Sequence, residues 1–357
     1  MQLTLSCSSS SNEIEPLKPE GEDTPLEKDE YTFMNVEYRK WQNGTFQAWT
    51  TADSRETRTI DNMNWYTPSS DYSRTAWGGR IGLQPSSVVG KEGFFRVANC
   101  GGRSYLLDPD NGAVIIHGIQ HVRPGESTAH KKAFGTRYGS EAQWSEETGK
   151  LLADNHINYI SYGSNRIEVF PAAVRGNLLT PKTQKIAYAE NLYLLRTFMW
   201  DMSKNLGYAF DDDKYNRLVL LFEPTFATYI DRLVQEKSAL FAGDRHFIGF
   251  YLDNELPFAS YQGTGYANTE GGGWLVHTQK NRGEFYQNFC LRLLETRNCV
   301  GWVHFEYNDG YDSNGKASNK GVVSIEYEPY ESFLSQMRQL NLSVHSLIDY
   351  YDTKSVQ

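Results

Sequence analysis

Short apolar runs alternate with longer segments of helical periodicity over the second part of the chain. The pattern predicts strands at 113–116, 157–160, 217–222, 246–252 and 300–305, and helices at about 141–155, 183–206, 227–240 and 278–295. Repeated strand–helix units build either a (β/α)8 barrel or a doubly wound sheet. No glycine-rich phosphate-binding turn follows the first strand, which favours the barrel.

The first part of the chain has a different pattern. Residues 31–105 alternate aromatic and polar positions between clusters of Gly, Asn, Asp and Ser, which predicts a small β-rich domain. Residues 1–30 are rich in Ser, Glu and Pro and have little to bury. The predicted organisation is therefore a signal remnant with a disordered linker (1–30), a β-rich domain (31–105) and an α/β barrel-type domain (106–357).

The segment around Cys7 resembles the end of a bacterial lipoprotein signal. Only six residues precede this cysteine, too few for a charged region followed by an apolar one. Either the start is truncated or the resemblance is chance, and we favour truncation. A lipid anchor at Cys7 and a location in the cell envelope, in the periplasm or at the outer surface, are the corresponding expectations.

Composition narrows the classes of partner. The 357 residues carry 35 Lys and Arg against 44 Asp and Glu, a net charge of −9, which argues against nucleic acid and anionic membranes. No apolar run is long enough to span a bilayer. The four cysteines lack the spacing of a structural zinc site, so we expect no metal and no cofactor. The aromatic content of 14% fits a site for sugar rings, although core packing accounts for it equally well.

Polar residues follow each predicted strand. They lie at 117–121, 161–165, 223–224, 253–256 and 306–309. In a barrel the site lies at the carboxyl ends of the strands. Carboxylates recur there beside Trp, Tyr and Asn, the residue types that paired-carboxyl cleavage of a glycosidic bond requires.

Glu255 is the leading catalytic candidate. The preceding Asn254 can bond a sugar hydroxyl while a buried Glu255 protonates the leaving oxygen. The alternative is a structural carboxylate paired with an arginine. Further candidates for contact with sugar are His121, Asn165, Glu223, Trp302, Glu306, Tyr307 and Asp309. Glu223, Glu306 and Asp309 can equally be structural or surface acids, and a lone histidine such as His121 is more often structural.

Several segments resemble the β-agarase-type glycoside hydrolases of family fifty. They are GFFRV (93–97), GRSYLLDPD (102–110), FIGFYLDNEL (247–256), RGEFYQNF (282–289) and VGWVHFEY (300–307), and the resemblance covers most of residues 75–350. It implies a retaining (β/α)8 enzyme with its acid/base after strand four and its nucleophile after strand seven. Glu255 then becomes the acid/base, and the strand that leads to Tyr307 becomes strand eight. Family members tend to have His-Trp where this chain has Val303-His304, so one aromatic contact with sugar is lost.

The spacing leaves too little chain for a complete barrel. Only the 44 residues 257–300 separate strand four from strand eight, whereas three strand–helix units need roughly 30 residues each. We therefore expect strands five to seven, and the nucleophile with them, to be missing. The acids in this interval are Glu270, Glu284 and Glu295.

Three hypotheses follow. The first is a hydrolase of β-linked galactans of the agarose or porphyran type, with Glu255 as acid and a second carboxylate from the remaining strands or another chain. The second is a noncatalytic glycan-binding protein derived from such an enzyme. The third is a defective product whose open sheet edge leads to aggregation or domain swapping.

Overall fold

A computed structural model describes residues 31–42, 45–69, 72–163, 170–206, 222–253, 274–310 and 319–354. Its strands are β1 Met34–Arg39, β2 Trp41–Gln42, β3 Thr45–Phe46, β4 Asp53–Thr57, β5 Ser87–Val89, β6 Arg96–Cys100, β7 Arg103–Leu107, β8 Ala113–Val114, β9 Ile116–Ile119, β10 Tyr159–Ile160, β11 Ala187–Asn191, β12 Phe247–Tyr251, β13 Leu275–Val276 and β14 Gly301–His304. Its helices are α1 Thr128–Arg137, α2 Glu141–Asp154, α3 Ala172–Leu179, α4 Leu194–Leu206, α5 Phe226–Leu240, α6 Gln279–Glu295 and α7 Glu331–Lys354.

A parallel sheet of five strands forms the centre of the fold. Its order is β12-β11-β10-β9-β14, so strands that follow one another in the chain are neighbours, and the last strand lies beside the first. This order is that of four successive barrel strands followed by the final one. The predicted α/β class is confirmed. Closure of the strands into a barrel stays a prediction.

Both faces of the parallel sheet are covered. On one face Ile119, Ile160 and Tyr188 pack with helices α2, α3 and α7 in the largest hydrophobic cluster. On the other face Ile116, Tyr159, Ala187 and Ala189 pack with Trp77. Burial on two faces explains the nearly continuous apolar character of these strands.

Antiparallel sheets precede the parallel one. Strands β5 to β8 form a sheet in chain order, and β1 pairs with β4 and with β13, which lies far along the chain. A tight turn follows β7, in which the Asp108 carboxylate accepts the backbone N–H groups of Asp110 and Gly112. The domain boundary at 105/106 stays a prediction. Strand β7 crosses this position, and the turn after β7 lies beyond it.

One predicted helix and one predicted strand need correction. The predicted helix over 183–206 is wrong in its first half, where residues 187–191 form strand β11; helix α4 begins at Leu194. Ala187, Tyr188, Ala189 and Glu190 are all buried between β10 and β12, so pairing within the sheet overrides their local preference. The predicted strand over 113–116 divides at Ile115 between the antiparallel strand β8 and the parallel strand β9.

Other elements agree with the sequence. Helices α2, α5 and α6 and strands β10, β12 and β14 lie within their predicted ranges. Ser140 and Thr278 cap α2 and α6, since their side chains accept backbone N–H groups of Gln143 and Asn281. Helices α1, α3 and α7 were not predicted. The predicted strand over 217–222 lies almost wholly outside the described residues.

We expect Gly149→Ala to lower the free energy of unfolding by about 1–3 kcal/mol, because a methyl group overpacks the contact between α2 and α3. A Cβ atom at Gly149 lies 2.2 Å from the carbonyl oxygen of Asn177, which is backbone and cannot move alone. Urea denaturation of the wild type and the variant measures the change.

Gly176→Ala on the facing helix is the matched control. A Cβ atom there has nothing within 4 Å, and the smaller backbone entropy of alanine favours the folded state by up to about 1 kcal/mol. Equal losses of stability in the two variants would contradict the predicted contact.

Candidate active site

The carboxyl ends of the parallel strands meet at one edge of the sheet. Backbone contact between the two chain segments continues past that edge with one extra residue on the β14 side, because Gln120 N–H donates to the His304 carbonyl and Tyr307 N–H to the Gln120 carbonyl, each at 3.0 Å. This continuation brings His121, which follows β9, and Glu306, which follows β14, to the same place. Both were predicted as site residues from the sequence.

His121 and Glu306 form a hydrogen-bonded pair. The distance from His121 Nδ1 to Glu306 Oε2 is 2.9 Å, and the two side chains are 25% and 16% exposed. The contact between Nδ1 and the carboxylate orients the imidazole. Phe305 packs edge-on against the imidazole with 5.0 Å between ring centres. The pair is therefore held in place and reachable from solvent.

Gly163 makes room for the imidazole. A Cβ atom on Gly163 would lie 2.3 Å from His121 Cδ2, and the backbone of Gly163 has a φ of +83°. Glycine is thus required at this position for two separate reasons. The loop after β10 therefore helps to fix the His121 ring.

Tyrosines surround the strand ends. Tyr162 lies 4.5 Å from Tyr251 and 6.4 Å from Tyr193 between ring centres, and the Tyr159 hydroxyl is 3.3 Å from that of Tyr251. Burial raises the pKa of Tyr159 well above its usual range, so its hydroxyl keeps its proton. Tyrosine rings with a polar edge suit the apolar faces and hydroxyls of sugars.

Asp253 follows β12 and is held by the start of α4. Its Oδ2 atom accepts the backbone N–H of Leu195 at 2.8 Å, near the start of α4, where a negative charge is favoured. Asn254 and Glu255 come next in the sequence, and both lie outside the described residues, as does Asn165. Their predicted roles stay predictions.

The structure places Trp302 and Tyr307 away from the strand-end edge. Trp302 is 7% exposed and packs with α6 and α7, and its Nε1–H donates to the Tyr286 hydroxyl at 2.6 Å. Tyr307 is completely buried, and its hydroxyl lies 2.9 Å from Thr148 Oγ1. Trp302 packs in the cluster formed with α6 and α7, whereas Tyr307 packs in the cluster formed with α2 and α7. Both side chains occupy packing positions, and their predicted contacts with sugar stay predictions.

Asp309 and Glu223 lie in opposite environments. Asp309 is 2% exposed, and its carboxylate accepts the Gly321 N–H and the Tyr330 hydroxyl at 2.7 and 2.6 Å. Glu223 is exposed just before α5. The structure therefore assigns Asp309 to a loop contact and does not bring Glu223 to the described pair.

Sequence reasoning missed Tyr193 and Tyr251 as site residues. Tyr193 follows β11, which the sequence assigned to a helix, so its position after a strand was not recognised. Tyr251 is the last residue of β12. Its alternation with Phe250 along the predicted strand was the signal that could have identified it as a site residue. Both belong to the tyrosine group at the strand ends.

Burial keeps three other histidines neutral. It lowers the pKa of His117 to about 3 and those of His304 and His345 to about 4. His117 stacks on Trp302 with 5.0 Å between ring centres. These rings therefore serve packing, in contrast to the partly exposed His121.

Two further findings concern metals and membranes. Within the described ranges, no cluster of three or more His, Cys, Asp and Glu side chains is arranged to hold a metal ion. None of the helices in the same ranges is both long and apolar enough to cross a membrane.

No protein-family model and no curated protein matches this chain. Among solved structures, "Crystal structure of BpGH50" is similar with a TM-score of 0.72 and 18% identity over 90% of this chain and 96% of that chain. "The crystal structure of an agarase, AgWH50C" gives 0.48, with 12% identity over 79% and 67%. "Structural analysis of an exo-beta-agarase" gives 0.43, with 10% identity over 78% and 69%.

The described chain is thus a mixed α/β protein built on a parallel sheet. More particularly, it has the fold of the BpGH50 structure. The resemblance to family fifty that the sequence indicated is confirmed at the level of the fold.

We expect Gly163→Ala to displace the His121 ring. The ring nitrogen signals of His121 in a long-range ¹H–¹⁵N spectrum report its contact with Glu306, and the variant should shift them. Gly243→Ala is the control, because Gly243 has a similar φ of +85° but nothing within 4 Å of a Cβ atom. Both variants should lose about 1 kcal/mol from the left-handed backbone, but unchanged His121 signals in Gly163→Ala would contradict the steric role.

We expect the free energy of unfolding to fall as the pH decreases from 6.5 to 5. The unfolded chain then binds protons at His117, His304 and His345 that the folded chain does not, so each contributes a slope of up to about 1.4 kcal/mol per pH unit. The slope should be smaller in His345→Gln. Urea denaturation at several pH values measures it, and a comparison at pH 8 isolates the packing change. An unchanged slope would contradict the buried neutral state.

Proposed function

We propose that this protein is a glycoside hydrolase that acts on β-linked galactans of the agarose or porphyran type. The observation that carries the proposal is the position of the His121–Glu306 pair beside Gly163, at the carboxyl edge of the sheet where β12 also ends. The similarity in fold to BpGH50 supports it. The five parallel strands are then part of a barrel-type sheet.

In this proposal Glu255 is the general acid. A carboxylic acid near the strand ends protonates the leaving oxygen of the glycosidic bond, and the adjacent Asn254 bonds a sugar hydroxyl. The tyrosines at the strand ends pack against the sugar rings. No cofactor takes part.

Glu306 is the proposed second carboxylate. Among the described residues it is the acid that follows a strand of the parallel sheet, is partly buried, and is held by a histidine. A separation of about 5–5.5 Å from Glu255 would make Glu306 a nucleophile in a retaining reaction. A separation of about 6.5–9.5 Å would make it the base for an attacking water.

A noncatalytic glycan-binding protein is the second candidate. The described part of the connection between β12 and β14 contains β13 and α6 but no strand of the parallel sheet. The two described acids of α6, Glu284 and Glu295, already have partners. Glu284 accepts a hydrogen bond from Asn281, and Glu295 forms an ion pair with Arg58. Neither lies at a strand end, where family fifty has its nucleophile.

The cell-envelope location and the lipid anchor at Cys7 are part of the proposal. A lipid anchor would keep the protein near polysaccharide outside the cytoplasm. Metabolic labelling with a clickable fatty acid, compared between the wild type and Cys7→Ser in a bacterial host, tests the anchor.

We expect Glu255→Gln and Glu306→Gln to lower kcat by about 10²–10⁴-fold, because each removes a proton-transfer or nucleophilic carboxyl group. Purified chains are incubated with agarose- and porphyran-derived oligosaccharides, and the products and their anomeric form are read by NMR. Glu236→Gln on α5, an exposed carboxylate paired with Arg232, is the control and should keep full activity.

Calorimetry on the same samples separates the two candidates. Oligosaccharide binding without turnover in the wild type supports the glycan-binding protein. Full activity in Glu255→Gln would refute its acid role, and neither turnover nor binding across these galactans would refute both candidates.

A further inference from the structure

A groove runs along the free side of β14. Its volume is about 1140 Å³, and its walls come from β14, α6, β4 and β13. In the described part of the chain β14 pairs with β9 alone, so the groove occupies the side on which a further strand would lie. Phe305 lines it and also packs against His121. The groove is therefore continuous with the candidate active site.

Aromatic rings form much of the surface of this groove. Trp274, Phe289 and Phe305 are 46%, 63% and 44% exposed. Trp274 is held in place by Tyr38, with 4.1 Å between the stacked rings. Exposed rings in a concave groove offer apolar contact area to a ligand.

The charge of the groove is unlike that of the whole chain. Among the described residues its lining holds one carboxylate, Glu56, and four guanidinium groups, those of Arg55, Arg58, Arg282 and Arg292. Glu295, just behind the lining, pairs with both Arg58 and Arg292. The protein as a whole has a net charge of −9. The groove is thus a local concentration of positive charge in an acidic protein.

Arg282 has donors to spare. Its guanidinium donates to the carbonyls of Lys320 and Gly321 and to Gln279 Oε1, three of its five N–H groups. No carboxylate of the described residues lies within ion-pair distance of it, and burial lowers its pKa to about 10, so it is still charged at neutral pH.

Arg55 is the exposed counterpart. Its guanidinium lies 5.3 Å from the centre of the Trp274 ring, and in the described part of the chain no carboxylate forms an ion pair with it. Guanidinium groups bind carboxylate, sulfate and phosphate oxygens through paired N–H donors. Two such groups beside exposed aromatic rings suit a sugar that carries an anion.

We propose that this groove binds an acidic galactan, with Arg55 and Arg282 contacting a sulfate ester or carboxylate substituent and the aromatic residues contacting the sugar. The class of polymer rests on the proposed function. The anionic substituent is inferred from the groove itself. Binding in the groove would place charged units of the polymer next to the His121–Glu306 pair.

Calorimetry on the full chain tests this with three ligands of equal length: a sulfated galactan oligosaccharide, its chemically desulfated form, and a carboxylate-bearing form. We expect the wild type to bind one or both anionic forms roughly 10-fold more tightly than the neutral form, as one charge-assisted contact gives. Affinity for the anionic form should fall as salt is raised. Preference for sulfate or for carboxylate identifies the substituent.

Arg55→Gln should lose that preference while binding the neutral form as before. Arg55 is exposed, so the variant should fold, and Arg55→Lys should keep part of the preference because it keeps the charge but not the paired donors. Arg232→Gln on α5 is the matched control and should behave as the wild type. Equal affinity for charged and neutral forms, or an unchanged preference in Arg55→Gln, would overturn the proposal.

The outcomes also separate this proposal from the proposed function. Neutral binding with turnover but no anion preference refutes the groove alone. Anion binding that depends on Arg55, without turnover, supports the groove and refutes catalysis. Absence of all binding refutes both.

Discussion

The pairing of β9 with β14 is the constraint on which the rest of the structure depends. Residues Ile116–Ile119 bond in parallel with Gly301–His304, joining segments that are about half the chain apart. Two glycines permit this approach: a Cβ atom on Gly301 would lie 2.5 Å from the Ile116 carbonyl oxygen, and one on Gly118 would lie 3.0 Å from Val303 Cγ2. The pairing brings His121 and Glu306 together although they are 185 positions apart in the sequence.

Buried ion pairs join the β-rich segment to helices α6 and α7, which pack against β14. Arg103 on β7 is fully buried and binds Asp352 on α7, and Arg58, after β4, binds Glu295 at the end of α6. Each guanidinium also has a further contact that compensates its burial: Arg103 donates to the Leu294 carbonyl, and Arg58 lies over the Tyr31 ring. Loss of one partner would leave a buried charge, which costs far more than an exposed ion pair contributes. The β-rich segment is thereby fixed to the helices that cover β14.

The same arrangement gives the two proposed binding regions their different chemistry. At the strand ends the polar groups are an oriented imidazole, a carboxylate and tyrosine hydroxyls, which suit proton transfer and sugar hydroxyls. Along the free side of β14 the groups are guanidiniums and aromatic rings, which suit an anion on a sugar. Phe305 belongs to both regions, so a single ligand can extend from one to the other.

The sequence by itself determined the α/β class, helices α2, α5 and α6, the parallel strands β10, β12 and β14, and the candidate positions of His121 and Glu306. Local periodicity and the rule that sites lie at strand ends were sufficient for these. The tertiary structure alone decided that residues 187–191 form a strand, since its buried position between β10 and β12 outweighs a helix-like composition. It also decided that Trp302 packs with α6 and α7 and that Tyr307 packs with α2 and α7, because residues from distant parts of the chain form these clusters only in the fold. The contact between His121 and Glu306 and the groove beside β14 come from segments that meet only in the fold, and no local pattern in the sequence records such a meeting.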